Sequence, residues 1–372
     1  MENNYIPVNE PVFWGNEKKY LNECIDTTFV GSDGKFVKKF ETDFGNYQGV
    51  KYCSAVSNGS AALELAIESL ALQPGDEVIL PSLAIISCVQ PLIRRGLVPV
   101  FVDTNKDTWN IDENLIEDKI NSKTKLIIVI HTYGLPVDMI KVNSIAKKNN
   151  LFILEDCAEV LGLEFNGKKC GNFSDISIFS FYPNKHITTG EGGMVCTNNQ
   201  KLYEKVEYFK NLCFNQEKRF KHYDLGWNFR MSNIQAALGC AQLESIELHL
   251  TKKRQIGLWY NELFSNLTDK LKLPLPTLNG NENIYWVYSL ELISDKITAE
   301  LFIKKLSNSG IGARPFFYPL HKQPVFKDYD FYDQKLLNTE HSAQYGFYIP
   351  SGLSLTFEQA KKVVEVITNL LK

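Results

Sequence analysis

The chain has 372 residues, of which 44% are hydrophobic and 22% charged, the balance of an ordinary globular protein. This length predicts about two domains. The formal net charge of −3, without a Lys/Arg stripe, argues against a nucleic-acid surface. No apolar run reaches the length of a membrane span, and the N-terminus lacks the order of a signal peptide. We therefore expect a cytoplasmic protein without membrane contact.

The eight cysteines are widely and irregularly spaced. No CxxC or CxC pair occurs, so the pattern gives little support to a zinc or iron–sulfur site, and no metal is expected. Reduced, mostly buried thiols are the simplest interpretation for a chain in the cytoplasm.

Short β-rich runs alternate with amphipathic helical stretches over the first two-thirds of the chain. The sequence predicts strands at 77–80, 98–102, 126–130, 151–154, 176–180 and 193–196, and helices at 61–72 and 142–149. Because buried apolar strands that alternate with helices are typical of a mostly parallel sheet sandwiched by helices, we predict an α/β fold. Such a sheet binds its ligands at the carboxyl ends of its strands.

A long helical pattern runs from Met231 to Leu250 and continues to Leu263. Prolines and a cluster of aromatic residues follow it, and helical patterns return at 298–308 and 356–371. From this change of texture we predict a large domain over 1–250 and a smaller C-terminal α+β domain over 251–372.

The most informative stretch runs from Ser180 to Gly193, where a predicted strand leads into a loop with Lys185 and then into a glycine-rich turn. A lysine at the carboxyl end of a strand can have its pKa lowered by desolvation or by neighbouring cations, and it can then act as a Schiff-base nucleophile. For a single lysine, a solvated loop position is the commoner interpretation. The stretch lacks the spacing of a P-loop.

Two further stretches complement Lys185. Residues 57–60 form a small polar turn that opens a helix, which is a natural phosphate site, although a plain serine cap explains the turn equally well. Asp156 follows a buried strand, a position that is costly for an acid unless a cation such as a protonated pyridine nitrogen lies nearby. The alternative interpretation is that Asp156 caps the N-terminus of a helix. An amine, a phosphate cradle and a counter-ion are together the parts of a pyridoxal-phosphate site.

The chain also resembles a known family over nearly its whole length, the DegT/DnrJ/EryC1/StrS sugar aminotransferases. The resemblance is carried by FSF…NK…TTGEGG at 179–193, HTYG at 131–134, EDCAE at 155–159 and LGWNFRM at 225–231. It implies the type I fold of pyridoxal-phosphate enzymes. The implied cofactor is pyridoxal 5′-phosphate, which alternates with pyridoxamine 5′-phosphate during the reaction.

The resemblance implies roles for single residues. Lys185 would hold the cofactor and move protons, and Asp156 would pair with the pyridine nitrogen. The residues expected to bind the cofactor are Gly59, Ser60, Ile85, Asp156, Glu159, Ser180, Lys185 and, from the partner subunit of a homodimer, Asn228. The residues expected to lie near the substrate are His186, Arg230, Arg314 and His321. For His321, a satisfied surface or interface histidine is an equal interpretation.

One position departs from the pattern of the family. Many relatives place an aromatic residue over the cofactor ring, where this chain has Ile85. An aliphatic side chain can still cover the ring, but weaker stacking is expected.

The implied reaction is amino transfer from L-glutamate to a nucleotide-linked 4-keto-6-deoxy sugar, in a homodimer with active sites at the interface. The first candidate is GDP-4-keto-6-deoxymannose, which would give GDP-perosamine for polysaccharide synthesis. UDP- or dTDP-linked sugars, including 2-acetamido sugars, are alternatives. A sugar dehydratase of the same superfamily would carry histidine in place of Lys185, and a regulatory protein would not need Lys185, Asp156 and Ser180 intact. Transamination is therefore favoured.

Overall fold

The computed structural model describes residues 5–215 and 217–372. These residues form eleven α-helices and fifteen strands. The helices are α1 Glu17–Asp26, α2 Lys35–Gln48, α3 Gly59–Ser69, α4 Gln90–Arg94, α5 Met139–Asn149, α6 Gln200–Lys210, α7 Asn233–Glu244, α8 Ile246–Leu263, α9 Ala299–Asn308, α10 Leu337–Tyr345 and α11 Phe357–Leu370. The longer strands are β1 Tyr52–Val56, β2 Glu77–Pro81, β3 Val98–Val102, β4 Thr124–Ile130, β5 Phe152–Asp156, β8 Ile176–Ser180, β9 Gly193–Thr197, β13 Tyr288–Leu292 and β15 Gly346–Ile349. Two-residue strands are β6 Glu164–Phe165, β7 Lys168–Lys169, β10 Leu271–Lys272, β11 Thr277–Leu278, β12 Asn281–Glu282 and β14 Arg314–Pro315. Short 3-10 helices lie at Ile86–Cys88, Glu117–Lys119, Thr132–Gly134, Ser265–Leu267, Leu320–Lys322 and Pro324–Phe326.

The large sheet has seven strands in the order β1-β9-β8-β5-β4-β2-β3. β9 runs antiparallel to both of its neighbours, and the other strands share one direction. The interior strand β4 is buried on both faces from Leu126 to Ile130 because helices cover both sides of the sheet. The predicted α/β fold with a mostly parallel sheet is therefore confirmed.

Two sequence predictions differ from the structure. β1 was not predicted, and the single helical pattern from Met231 is two helices that break at Ser245. α7 starts later than predicted because Ser232 and Gln235 form a capping box at its N-terminus. The break was missed because the apolar periodicity continues across Ser245, whose backbone leaves the helical region at ψ 8°.

The second sheet is antiparallel, with the order β10-β13-β15-β14. It packs with α9 and α11 around a core that includes Phe302, Phe347 and Val363. α8 contributes Leu250 to the core of the large sheet and Tyr260 to the core of the second one. The second sheet with α9 and α11 agrees with the predicted α+β character of the C-terminal domain. The domain boundary at residue 250 stays a prediction.

All eight cysteines lie in the described residues, where each is buried and free. Over the residues that the structure describes, no helix is both long and apolar enough to cross a membrane.

Close packing of α2 against α7 depends on Gly239. A Cβ atom at this position would lie 2.7 Å from Cζ of Phe40. Although alanine favours a helix by about 1 kcal/mol over glycine, we expect Gly239→Ala to lower the free energy of unfolding by about 1–3 kcal/mol through overpacking. Urea unfolding at one fixed protein concentration measures this change. Ser307→Ala on the exposed side of α9 is the control, with a change within about 0.5 kcal/mol, and a stabilised Gly239→Ala would contradict the packing argument.

Candidate active site

A cavity of about 620 Å³ opens at the carboxyl edge of the large sheet. β5 ends at Asp156, β8 ends at Ser180, and α3 begins at Gly59 shortly after β1. Lys185 reaches the cavity from the loop that follows β8. Because parallel strands place their carboxyl ends at the same edge, the fold brings together the predicted amine, acid and helix terminus.

Lys185 is partly buried between an acidic and an aromatic side chain, with 12% of its own side chain exposed. Its Nζ lies 3.9 Å from Oε1 of Glu159 and 3.9 Å from the centroid of the Trp286 ring. Burial lowers the pKa of Lys185, and the nearby charges of Glu159 and Asp156 oppose this effect. A lowered pKa increases the fraction of neutral amine, which is the nucleophilic form.

Asp156 is buried at the end of β5 and lines the cavity. One carboxylate oxygen accepts the backbone N–H of Ala158 (3.0 Å), and the other accepts the thiol of Cys88 (3.4 Å). Burial raises the pKa of Asp156, and the Ala158 N–H and the charge of Lys185 only partly offset it. A cation in the cavity would favour the ionised form. The side chain therefore suits a protonated ring nitrogen.

Glu159 lies three residues after Asp156 and is also buried. Its Oε2 accepts the backbone N–H of Tyr133 (2.8 Å), while Oε1 lies towards Lys185. Burial raises the pKa of Glu159, and the charge of Lys185 acts in the opposite direction. Glu159 and Lys185 are therefore close enough for the charge of each to favour the ionised form of the other.

A third buried acid, Glu155, precedes Asp156 on β5 and stabilises the end of this strand. Its Oε1 accepts the backbone N–H of Gly171 (2.8 Å) and lies 3.1 Å from Nε2 of His131. Nδ1 of His131 accepts the backbone N–H of Val137 (3.0 Å), so Nε2 carries the proton that is donated to Glu155. Burial alone would raise the pKa of Glu155, but the hydrogen bonds from His131 and from the backbone of Gly171 lower it.

The start of α3 provides an anion site. Its first N–H groups lack acceptors within the helix, and Gly59 and Ser60 line the cavity. The side chain of Asn58 caps the helix through the N–H of Ala61 (2.8 Å). A Cβ atom at Gly59 would lie 2.9 Å from Cβ of Ser180, so glycine allows α3 to approach the end of β8. The positive end of the helix dipole at this point suits a phosphate group.

Residues 14–368 match the family model described as the DegT/DnrJ/EryC1/StrS aminotransferase family. The chain belongs to this family. A GDP-perosamine synthase of Escherichia coli O157:H7 is 40% identical over 98% of both sequences. Helicobacter pylori PseC, an aminotransferase of pseudoaminic acid biosynthesis, has a TM-score of 0.93 at 26% identity over 99% of both chains. An Escherichia coli GDP-4-keto-6-deoxy-D-mannose-3-dehydratase with bound hydrated PLP has a TM-score of 0.90 at 25% identity over 99% of both chains.

Pyridoxal 5′-phosphate is the cofactor of the DegT/DnrJ/EryC1/StrS aminotransferases, and the predicted type I fold is confirmed. The cavity fits this cofactor on three separate grounds. α3 offers N–H groups to a phosphate, Asp156 is a buried acid without sufficient positive charge nearby, and Lys185 supplies an amine. Oδ1 of Asn184, next to Lys185, is a further buried atom on the cavity wall, and it has no hydrogen-bond partner within the described residues.

The structure brings most of the predicted site residues to one cavity. Those that line it are Gly59, Ser60, Ile85, Asp156, Glu159, Ser180, Lys185 and Arg314. The predicted residues outside it are His186, Asn228, Arg230 and His321. The roles of single residues in binding stay predictions.

The two histidines are held away from the cavity. His321 is fully buried, with Nδ1 2.7 Å from Oγ of Ser82 and Nε2 3.1 Å from Oε1 of Glu340. It is a satisfied buried histidine, which is close to the alternative interpretation made from the sequence. His186 is 1% exposed and does not line the cavity. We therefore propose no substrate contact for either residue.

Several cavity residues were not predicted from the sequence. Trp286, Phe317 and Tyr348 come from the C-terminal third of the chain. No local pattern marks them, since an aromatic residue between strands is more often part of a core. The thiol of Cys88, which donates to Asp156 without lining the cavity, was not predicted either.

The close approach at Gly59 can be tested directly. We expect Gly59→Ala to raise the Kd for pyridoxal phosphate by about tenfold or more, because the methyl group displaces α3 from Ser180. Titration of the cofactor by its visible absorption measures this Kd. Gly31→Ala is the matched control, since no atom lies within 4 Å of its Cβ position. Equal affinity in the two variants would contradict the assigned phosphate site.

Proposed function

We propose that this aminotransferase moves an amino group from L-glutamate to C4 of GDP-4-keto-6-deoxymannose and so forms GDP-perosamine. The observation that carries the reaction type is the partly buried amine of Lys185, which lies between Glu159 and Trp286 in a cavity that the N-terminus of α3 also lines. The choice of sugar rests on the 40% identity to a GDP-perosamine synthase along nearly the whole chain.

Bound pyridoxal phosphate supplies an electron sink for the negative charge that develops at the reacting carbon. The protein supplies position and proton transfer. Nζ of Lys185 removes the proton from Cα of glutamate in the first half-reaction and returns one towards C4 of the sugar in the second. Glu159, 3.9 Å away, can hold the proton between these steps. Asp156 stabilises positive charge at the ring nitrogen.

The walls of the cavity separate the reaction from water and select the substrate. Trp286 and Tyr348 are buried aromatic residues on one side of the cavity. Arg314 is exposed and lines the same cavity, where it offers a cation to the diphosphate of the nucleotide sugar.

A dehydratase is the second enzyme class to consider, because a solved dehydratase shares this fold. The resemblance of the sequence implies that such enzymes carry histidine at the position of Lys185. The neighbouring His186 cannot substitute for it, since its side chain is buried and lies outside the cavity. Transamination therefore agrees better with the arrangement of the site.

We also propose a homodimer in which Asn228 of each subunit completes the phosphate site of the other. Asn228 is exposed and lies outside the cavity of its own subunit. The segment before it exposes Phe220 and Leu225 by 84% and 92%, as expected of an interface. The N–H of Ser57 donates to the carbonyl of Phe229 (2.8 Å), which anchors this segment near the start of α3.

Replacement of the lysine tests the reaction type. We expect Lys185→Ala to fold normally but to lose transamination, because no other amine takes part at the reacting carbon. Turnover, circular dichroism and the visible spectrum of the cofactor-loaded protein are the measurements. Lys123→Ala, on the exposed surface, should behave as the unchanged protein. Near-normal turnover by Lys185→Ala would refute the assignment.

A spectral titration tests the substrate. Glutamate should bleach the visible absorption of the lysine-bound cofactor, and the correct keto sugar should restore it. Recovery with GDP-4-keto-6-deoxymannose alone would support the proposed substrate. Recovery with a UDP- or dTDP-linked sugar instead would keep the reaction type and replace the sugar.

Mixed dimers test the shared site. Lys185→Ala and Asn228→Ala should each be impaired as homodimers. After mixing and reassociation, about a quarter of the sites should be intact, because half of the dimers combine one good lysine with one good asparagine. The measurement is turnover before and after mixing. Activity that never exceeds the average of the two separate variants would contradict the contribution of Asn228 across the interface.

A further inference from the structure

Two polar side chains of α8 are buried without any contact to the cavity. His249 and Lys253 are 0% and 1% exposed, and neither lines the active site. They are four residues apart, so they lie on the same face of the helix. This face is directed at the loop that carries Lys185.

His249 holds the loop immediately after Lys185. Its Nδ1 donates to the backbone carbonyl of His186 over 2.9 Å. Because a carbonyl can only accept, Nδ1 must carry the proton. The peptide between His186 and Ile187, one residue beyond Lys185, is thereby fixed from α8.

Lys253 holds the other side of the loop through Trp286. Its Nζ donates to the carbonyl of Trp286 (2.9 Å) and to that of Ser351 (2.7 Å). Nε1 of Trp286 in turn donates to the carbonyl of Asn184 (2.8 Å), and its ring lies against Nζ of Lys185. The carbonyls of the residues before and after Lys185 are therefore both held, one directly and one through the tryptophan.

Lys253 is difficult to explain as a stabilising residue. Among the described residues, no carboxylate lies within ion-pair distance of its Nζ, and burial lowers the pKa of Lys253 to about 7. A buried amine without a counter-ion costs free energy that an apolar side chain of similar length would avoid. Its two hydrogen bonds therefore point to a role in geometry.

We propose that His249 and Lys253 are positioning residues that fix the amine of Lys185 for proton transfer. The inference rests on the proposed function, in which Lys185 is the cofactor lysine. By clamping the carbonyls of Asn184 and His186, the two side chains keep Nζ against Trp286 and next to Glu159. Their loss would let the loop move and admit water without removing any group that touches the substrate.

The positioning role of Lys253 is tested by the variant Lys253→Met. The matched control on the same helix is Lys252→Met, since Nζ of Lys252 lies over the ring of Trp259. We expect Lys253→Met to lower kcat by about 10- to 100-fold, because small displacements of a reacting group are costly. KM for the keto sugar should change by less than about threefold, since no substrate contact is lost. The control should keep both constants.

A second readout uses the protein without cofactor. Competitive labelling of the Lys185 amine with acetic anhydride over a range of pH gives its pKa. This pKa should rise in Lys253→Met and in His249→Leu, because water reaches a released amine. His249→Asn keeps a donor near the position of Nδ1 and should remain close to the unchanged protein.

The outcomes are separable. Folded Lys253→Met with the kcat and labelling profile of Lys252→Met would overturn the proposal. If Lys253→Met does not fold, the histidine pair decides, and identical profiles for His249→Leu and His249→Asn would overturn it. Absence of cofactor attachment in the unchanged protein would instead refute the proposed function, while the labelling profiles would still show whether α8 positions the amine.

Discussion

The amine of Lys185 is largely shielded from water at the carboxyl edge of the large sheet, 3.9 Å from Glu159 and against the ring of Trp286. Burial disfavours the ammonium form, so a lysine free to move would turn towards solvent. The amine stays in place because β8 delivers its loop, an acid partly compensates its charge, and Trp286 covers it. The chemistry of the cavity depends on this single constraint.

Two adjacent acids on β5 show how the sheet separates structural and chemical tasks. Successive side chains of a strand point to opposite faces. Glu155 is therefore turned to one face, where His131 and backbone N–H groups satisfy it, and its pKa is lowered. Asp156 lines the cavity on the other face, where burial raises its pKa. Glu155 thus stabilises the end of the strand, whereas Asp156 is placed to bind a cation in the cavity.

α8 connects this site to the second sheet. Leu250 packs in the core of the large sheet and Tyr260 in the core of the small one. Between them, Lys253 binds the carbonyl of Trp286 beside the cavity and that of Ser351 after β15. The same helix thus ties the position of the C-terminal unit to the loop of Lys185, which explains why so polar a pair of residues lies inside the protein.

Local patterns predicted the strands of the parallel sheet, because strands buried on both faces are continuous apolar runs. They also singled out Lys185, Asp156 and the turn at Gly59, because each lies at the end of such a run and has a residue type suited to one part of the cofactor. β1 was missed, and so was the break at Ser245, because the apolar periodicity continues through it.

The sequence by itself therefore determined the type of sheet, the family and the three chemical groups of the site. Only the tertiary structure decided that Trp286 covers the amine, that His321 is a satisfied buried histidine, and that Lys253 donates to the carbonyl of Trp286. The physical reason is sequence distance. These contacts join segments far apart in the chain, whereas hydrophobic periodicity and capping patterns report only on neighbours within a few turns.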